Sequence, residues 1–346
     1  MKKLFFCLLF LLPFFGVAQK YAFQSYSTED GLPQTQVNSF CQDDAGYLWV
    51  GTLGGLSKFN GEEFKTITPK DGLLNNRIQT LYNDSGRIWV GHDGGVSCIE
   101  NNKIENFEFI GKGRSRSVSK ILRFKDMVIV CSNRGGGLFE IVDDRLRQVT
   151  LPTEDAKAIR SAIVSGQYLY LATKGGILKT TDLKTFTLEK GVAEGSYTGV
   201  EANDDEIYFI SFRNGVYQKE LKTGETRHIP SEEAGNYLLG GKMDAKGTLW
   251  LFNKDGIITI SNNKIIHFGN EVSGLPVNNS VQCIFDDSFG NIWIGSNGKG
   301  MFRFPGEKFR YYDRSTGYFS DFMLNGFESK DGSLYFGSLD AGVIKR

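Results

Sequence analysis

The feature that most constrains the fold of this chain is an internal repeat of about 41 residues. It is clearest in three segments that begin at Val37, Ile78 and Val281, and weaker copies lie between and after them. Each copy has one position for a large apolar side chain at the centre of its second apolar run. These positions hold Trp49, Trp89, Ile129, Tyr170, Tyr208, Trp250, Trp293 and Tyr335.

Short apolar runs separated by glycine turns, repeated with this period, predict an all-β fold: a single β-propeller of four-stranded antiparallel blades. In the first copy, residues 37–42 are the predicted inner strand. A tight turn with Asp43 and Gly46 follows, and then the strand that holds Trp49. The anchor aromatics are expected to fill the space between neighbouring blades and to belong to the core, rather than to stack on carbohydrate.

The number of blades is predicted from the outer strands. Residues 64–73 form the outer strand and loop of the first copy, and residues 23–32 have the same pattern with no inner strands before them. The copy around Tyr335 has no outer strand after it. We therefore predict eight blades, with residues 21–28 paired against the blade that contains Tyr335, so that this N-terminal outer strand closes the ring. Seven blades is the alternative, because the middle copies have diverged.

Residues 1–19 have the pattern of a secretory signal peptide: two lysines, an apolar run, and small residues before the expected cleavage site. The apolar run is shorter than a membrane span and contains Pro13. Cys7 lies inside this run, so a lipid anchor is not expected. The prediction is an exported protein, periplasmic or secreted, whose propeller domain covers residues 20–346 without a membrane span.

Charge and cysteine content give two further expectations, one about partners and one about disulfides. The chain has 40 basic and 40 acidic side chains, so neither nucleic acid nor an anionic membrane is an expected partner. Cys41, Cys98, Cys131 and Cys283 lie in apolar strand contexts, which favours buried thiols. A disulfide between Cys98 and Cys131 is the alternative in an oxidising compartment.

The turns and strands together resemble the two-component regulator propeller repeat. The resemblance is specific in residues 30–61, 71–95 and 280–304, where a strand ending in Asp and a G-x-[LI]-W-[VI]-G strand recur; a D-G-L turn begins the first two segments. It is weak between residues 112 and 269. Propellers of this family form the extracytoplasmic sensor part of histidine kinases and related regulators, mostly in the Bacteroidetes, so the resemblance implies ligand sensing. The sequence shows no Ig-like, kinase or receiver segment, and the expectation is a stand-alone propeller or the N-terminal part of a longer sensor.

No motif for catalysis is found. The histidines His92, His228 and His267 occupy unrelated positions, and no metal-ligand spacing, nucleophile elbow or nucleotide-binding loop is present. Aspartates at the hairpin turns are interpreted as caps of their own backbone, not calcium ligands. We predict a sensing module of a two-component-type system with no catalytic residue, metal or cofactor. The alternatives are a secreted propeller enzyme (a glycan hydrolase or lyase) and a protein-interaction scaffold.

The ligand-binding face is predicted at the end of the ring where the turns after the anchor strands meet the loops between blades. An anionic or hydroxyl-rich ligand, such as an acidic oligosaccharide, would suit the basic residues there. The alternative interpretation is solvated turn residues. A membrane sensor kinase or a second propeller is the expected protein partner. We call the candidate residues the rim: Asp93, Asn133, Arg134, Lys174, Arg213, Asn214, Lys254, Asp255, Asn297 and Lys299.

Overall fold

The computed structural model describes residues 23–109, 117–134, 136–269, 281–304, 322–331, 333–340 and 342–345. The strands form seven four-stranded antiparallel sheets and one sheet of three strands. Each four-stranded sheet is one blade, and its strands follow one another from the centre of the ring outwards. The predicted all-β architecture of four-stranded antiparallel blades is confirmed.

The blades have the following strands. Blade 1 has β2 (Val37–Gln42), β3 (Leu48–Thr52), β4 (Gly55–Phe59) and β5 (Phe64–Ile67). Blade 2 has β6 (Ile78–Asp84), β7 (Arg87–His92), β8 (Gly95–Glu100) and β9 (Lys103–Glu108). Blade 3 has β10 (Val118–Phe124), β11 (Met127–Ser132), β12 (Gly137–Val142) and β13 (Arg145–Val149). Blade 4 has β14 (Ile159–Ser165), β15 (Tyr168–Thr173), β16 (Gly176–Thr180) and β17 (Thr187–Leu188).

The remaining blades complete the ring. Blade 5 has β18 (Tyr197–Ala202), β19 (Glu206–Ser211), β20 (Val216–Glu220) and β21 (Thr226–Ile229). Blade 6 has β22 (Gly240–Met243), β23 (Leu249–Asn253), β24 (Gly256–Ser261) and β25 (Lys264–Gly269). Blade 7 has β26 (Val281–Asp286), β27 (Ile292–Ser296) and β28 (Met301–Phe304), with β1 (Gln24–Tyr26) as its outer strand. Short helices lie at Thr28–Asp30, Pro69–Asp71, Asp155–Lys157 and Ser231–Ala234.

The ring contains seven blades, so the prediction of eight is wrong. The inner strands contact one another in chain order, and β26 of blade 7 contacts β2 of blade 1. The predicted partner of the N-terminal strand is also wrong, because β1 pairs with β28, with Tyr26 opposite Met301. The repeat makes the blades at Trp293 and Tyr335 equivalent acceptors for this strand. The inner strands of seven copies pack against one another and close the ring, so the last copy lies outside it. This packing cannot be deduced from the number of repeats.

That last copy forms a separate sheet of β29 (Met323–Glu328), β30 (Leu334–Ser338) and β31 (Val343–Lys345). Tyr335 in β30 is only half-buried, and Phe327 and Val343 are exposed. Tyr335 was predicted as a blade anchor and is not an anchor of the ring. The proposed signal peptide lies outside the described residues. Among the described residues, no helix is long and apolar enough to cross a membrane.

An aspartate turn joins the first two strands in blades 1, 6 and 7. Asp43 accepts hydrogen bonds from the backbone nitrogens of Ala45 (3.1 Å) and Tyr47 (2.9 Å) and from Nε1 of Trp49 (2.9 Å). Gly46 in this turn has a φ of 88°, a left-handed conformation that glycine adopts without strain. One carboxylate therefore closes the hairpin and orients the anchor side chain.

Most predicted anchors of the ring are buried between blades. Trp49, Trp89 and Trp293 are 6%, 4% and 5% exposed, and Ile129, Tyr170 and Tyr208 are buried as well. Trp250 differs, because it is half-buried and lines a cavity. Trp250 is thus less buried than the other three tryptophans.

The four cysteines among the described residues are free thiols, and Cys41, Cys98 and Cys131 are buried. Burial raises the pKa of Cys98 to about 11 and that of Cys131 to about 12. These two residues therefore form no disulfide in the structure, in agreement with the buried-thiol interpretation.

Candidate functional site

The turns between second and third strands and the loops between blades lie at the same end of the ring. Asp93, in such a turn of blade 2, bridges Ser117 just before the inner strand of blade 3. Asn297 of blade 7 bridges Gln36, which precedes the inner strand of blade 1. The structure thus gathers the rim residues at one end, which we call the rim face.

Several rim side chains already form hydrogen bonds or ion pairs with neighbouring side chains. Asp93 accepts from Arg77 Nε at 2.9 Å and from Gln79 Nε2 at 3.2 Å. Lys174 forms an ion pair with Asp155 at 3.0 Å. These contacts stabilise the rim, and the side chains involved are less available to a ligand.

Lys254 and Asp255 are adjacent in the turn of blade 6, and their charged groups lie 3.9 Å apart. The carbonyl oxygen of Asn214 accepts from Nε2 of His228 at 2.6 Å. The backbone nitrogen of Asn133 donates to Ser117. All of these interactions lie within the rim face, so they order its turns locally.

Three basic rim residues remain without an ion pair among the described residues: Arg134, Arg213 and Lys299. All three are exposed. Lys299 is held only through its backbone nitrogen, which donates to Ser296 Oγ at 2.9 Å. Their charged groups are the part of the rim that can meet an anion.

A central cavity of about 190 Å³ lies on the axis of the ring, lined by inner-strand residues and their neighbours from all seven blades. Lys120 and Arg160 contribute positive charge, and Asn38 and Gln79 contribute amides. Glu201, 8% exposed, accepts a hydrogen bond from a backbone nitrogen of blade 6. The cavity is therefore polar, with two basic side chains and one buried carboxylate.

Sequence reasoning missed the residues of the central cavity. They lie near the start of each inner strand, where polar side chains also join neighbouring blades. Asn38 Nδ2 donates to the carbonyl of Ile78 at 2.8 Å, and Thr198 Oγ1 donates to the carbonyl of Leu238 at 2.9 Å. The signal that could have found them is a polar residue at the second or third position of every inner strand.

The histidines lie away from the central cavity. His92 is buried with Nε2 2.8 Å from Ser97 Oγ, and burial lowers its pKa to about 4, so the ring is neutral. His228 and His267 lie in outer strands, and His267 Nε2 donates to the carbonyl of Glu233 at 2.9 Å. The described residues contain no group of three or more side chains able to hold a metal ion.

A larger cavity, of about 570 Å³, lies at the opposite end of the ring between blades 6 and 7. We call it the Trp250 pocket. The first turn of blade 6, with Asp244, and the first turn of blade 7, with Asp286, form one side. Phe268 and Phe304 form the apolar side together with Trp250. The sequence analysis placed no site at this end.

Comparison with known proteins gives short sequence matches to one family. The model of the two-component regulator propeller matches residues 31–54 and 274–298. A curated relative, histidine kinase P4 of Formosa agariphila, is 49% identical over 45 residues, which is 13% of this chain and 3% of that protein.

Solved structures show the same fold. The extracellular domains of two putative hybrid two-component systems from B. thetaiotaomicron superpose with TM-scores of 0.66 and 0.65, each at 19% identity. The superpositions cover 94% of this chain and 53% and 46% of theirs, so the chain spans about half of their length. A virginiamycin B lyase from Staphylococcus aureus superposes with a TM-score of 0.65 at 16% identity, over 82% of this chain and 99% of the lyase.

The lyase resemblance concerns the fold, since its sequence identity is low. A variant of that enzyme with one histidine changed to alanine is described as catalytically inactive. The family matches lie in blades 1 and 7 and include the first two strands of each, with the anchors Trp49 and Trp293. Two stretches of this chain, one in blade 1 and one in blade 7, are thus similar to the two-component regulator propeller.

Proposed function

We propose that this chain is an extracytoplasmic sensor propeller that binds a ligand at the rim face and has no catalytic activity of its own. The observation that carries the proposal is the central cavity, where all seven blades contribute side chains to one polar concavity. Convergent polar groups in a concave site are typical of ligand recognition.

The charges of this region favour an anionic ligand with many hydroxyl groups. Lys120 and Arg160 line the central cavity, and the unpaired groups of Arg134, Arg213 and Lys299 lie in the turns at the same end. Arginine and lysine form charge-assisted hydrogen bonds with carboxylates and sulfates, and the amides of the cavity suit hydroxyls. An acidic oligosaccharide combines both kinds of group.

The family supports a role in signalling. Its name and the curated histidine kinase relative connect these repeats with two-component systems, and the solved relatives are extracellular domains. We therefore propose that the chain is exported, to the periplasm or outside the cell. There it acts with a membrane sensor kinase or pairs with a second propeller.

The positions of the histidines favour binding over lyase chemistry. His92 is buried and neutral, and the other two histidines lie in outer strands, so none of them lines the central cavity. A general base must come within hydrogen-bond reach of the proton that it removes. Incubation with streptogramin B antibiotics should therefore yield no cleaved product.

Calorimetry tests the proposal directly. A panel of sulfated, uronate and neutral oligosaccharides would be titrated into the wild type and into a Lys120→Ala, Arg160→Ala double variant. We expect an acidic oligosaccharide to bind and the double variant to lose at least about tenfold in affinity, because two charge-assisted contacts are removed. The matched control is Lys103→Ala with Arg145→Ala, since both residues are exposed and lie in blades 2 and 3 away from the cavity. Equal affinity in all three proteins would refute the proposed site.

A further inference from the structure

Three blades share one module, in which the carboxylate of the first turn accepts a hydrogen bond from the anchor indole six residues later. Because the modules are built alike, a difference at one position can be interpreted by comparison with the other two. The donor–acceptor distances are 2.9 Å for Trp49 and Asp43, 2.8 Å for Trp250 and Asp244, and 2.8 Å for Trp293 and Asp287.

In two of these modules a cation from the third strand lies over the indole. Lys58 is the strand partner of Trp49, and its Nζ lies 5.1 Å from the ring centroid. Arg303 is the partner of Trp293, with its guanidinium carbon 5.9 Å from the ring. A cation over an indole face is attracted by the negative face of the ring. The module thus has a place for a cation.

In blade 6 none of the described residues places a cation over the indole. The strand partner of Trp250 is Thr259, a buried residue without charge. The cavity of about 570 Å³ opens between these two residues and Asp244. Trp250 is half-buried, whereas Trp49 and Trp293 are buried.

The carboxylate of the module also lacks its second partner in blade 6. In blade 1, Oδ2 of Asp43 accepts from Trp49 and lies 3.0 Å from Nζ of Lys58. In blade 6, Oδ2 of Asp244 accepts from Trp250, and among the described residues this carboxylate has no ion pair. One acceptor position of Asp244 therefore faces the pocket beside the indole.

The other walls suit an apolar stem. Phe268 stacks on Trp250 with centroids 6.2 Å apart, and Phe304 meets the indole edge-on at 6.3 Å. Asp286 adds a second carboxylate, which Lys242 approaches to 3.5 Å. The walls are thus aromatic next to Asp244, and the turns carry Asp286 and Asp287 together with one lysine, Lys246.

We infer that the Trp250 pocket binds an organic cation, a primary ammonium or guanidinium group on an apolar stem. The cation takes the place that Lys58 occupies in blade 1, between the indole face and the turn carboxylate. The stem packs between Phe268 and Phe304. This site lies at the end of the ring opposite the rim face, so it goes beyond the proposed function and does not depend on it.

The test uses 2-phenylethylammonium and its neutral analogue 2-phenylethanol, which have the same stem. Titration is followed by calorimetry and by the indole fluorescence of the full chain. We expect the ammonium to bind at least about tenfold more tightly than the alcohol, since only the cation gains from the indole and the carboxylate. Equal binding of the two compounds, or binding of neither at millimolar concentration, would overturn the inference.

Variants then locate the binding site. Thr259→Lys places a lysine where blade 1 has Lys58, so its ammonium group should take the place of the ligand. We expect the affinity for 2-phenylethylammonium to fall at least about tenfold. Thr187→Lys, on an exposed outer strand of blade 4, adds the same charge as a matched control and should leave affinity unchanged. Lys58→Thr should create a second site beside Trp49 and raise the stoichiometry. Wild-type affinity in Thr259→Lys would exclude the pocket.

Variants of the central cavity separate this inference from the proposed function. The Lys120→Ala, Arg160→Ala double variant should bind 2-phenylethylammonium like the wild type. Thr259→Lys should in turn bind acidic oligosaccharides like the wild type. Loss of ammonium binding in the double variant would place the cation site at the rim face and overturn the assignment to the Trp250 pocket.

Discussion

Tyr26 tests how strongly the N-terminal strand stabilises the ring. Its ring contacts Phe59 of blade 1 at 5.0 Å and Trp293 of blade 7 at 5.8 Å, and its side chain is 6% exposed. An aromatic side chain buries about 200 Å², and at about 25 cal/mol per Å² this area contributes roughly 5 kcal/mol. Replacement by alanine retains a small part of that burial. We therefore expect Tyr26→Ala to lower the free energy of unfolding by about 4 kcal/mol, within the range measured for such truncations.

Urea unfolding followed by tryptophan fluorescence measures this change, because Trp293 reports on the same contact. Ser25→Ala is the matched control. Ser25 is the preceding residue of β1, it is exposed, and its side chain points to the other face of the strand. Its replacement should change stability by less than about 0.5 kcal/mol. If Tyr26→Ala costs less than about 1 kcal/mol with an unchanged m-value, β1 does not stabilise the ring and the reasoning fails.

Two further predictions concern buried charge. Arg123 lowers the pKa of Asp84, whose side chain is 4% exposed. The pair therefore stabilises the fold above the ordinary carboxyl pKa of about 4 and loses this contribution as pH falls through the lowered value. Asp84→Asn should cost about 2 kcal/mol at neutral pH, since Arg123 is partly solvated, and should flatten the acid limb of a pH–stability curve. Burial lowers the pKa of His92 to about 4. Between about pH 4 and 6.5 the unfolded chain therefore binds more protons than the folded chain, and the free energy of unfolding rises with pH by up to about 3 kcal/mol. Ser132 occupies the equivalent position in blade 3. His92→Ser should therefore remove this rise in stability with pH, measured by urea titrations at several pH values. An unchanged slope would contradict the burial argument.

The blade itself could be predicted from sequence because its signals are local. The turn at Asp43 and the alternation along the strand of Trp49 involve residues fewer than ten apart, and the structure has the expected hydrogen bonds. The number of blades could not be predicted in this way. Residues 23–32 fit the blade of Trp293 and the blade of Tyr335 equally well as a pattern, and only the packing of inner strands around the axis decides between them.

The candidate sites were predicted in part for the same reason. Turn residues such as Arg213 are visible in a repeat alignment as polar positions between strands, and the structure places them at one end. The basic residues of the central cavity, Lys120 and Arg160, lie inside strands, where a polar residue is also explained by contacts between blades. Their convergence depends on the axis of the ring, which the sequence does not define.

The Trp250 pocket shows which positions of a repeat protein can indicate a binding site. A position shared by all blades is constrained by packing, because each blade must bury its faces against its neighbours. The strand partner of the anchor differs between blades, for example Cys98 in blade 2 and Gln218 in blade 5, so packing does not fix one residue type there. Thr259 departs from Lys58 and Arg303 at one strand register, and the departure coincides with a cavity, a half-buried indole and a carboxylate without an ion pair among the described residues. A search for sites in such propellers should therefore compare strand partners across blades, register by register, and not only the turns.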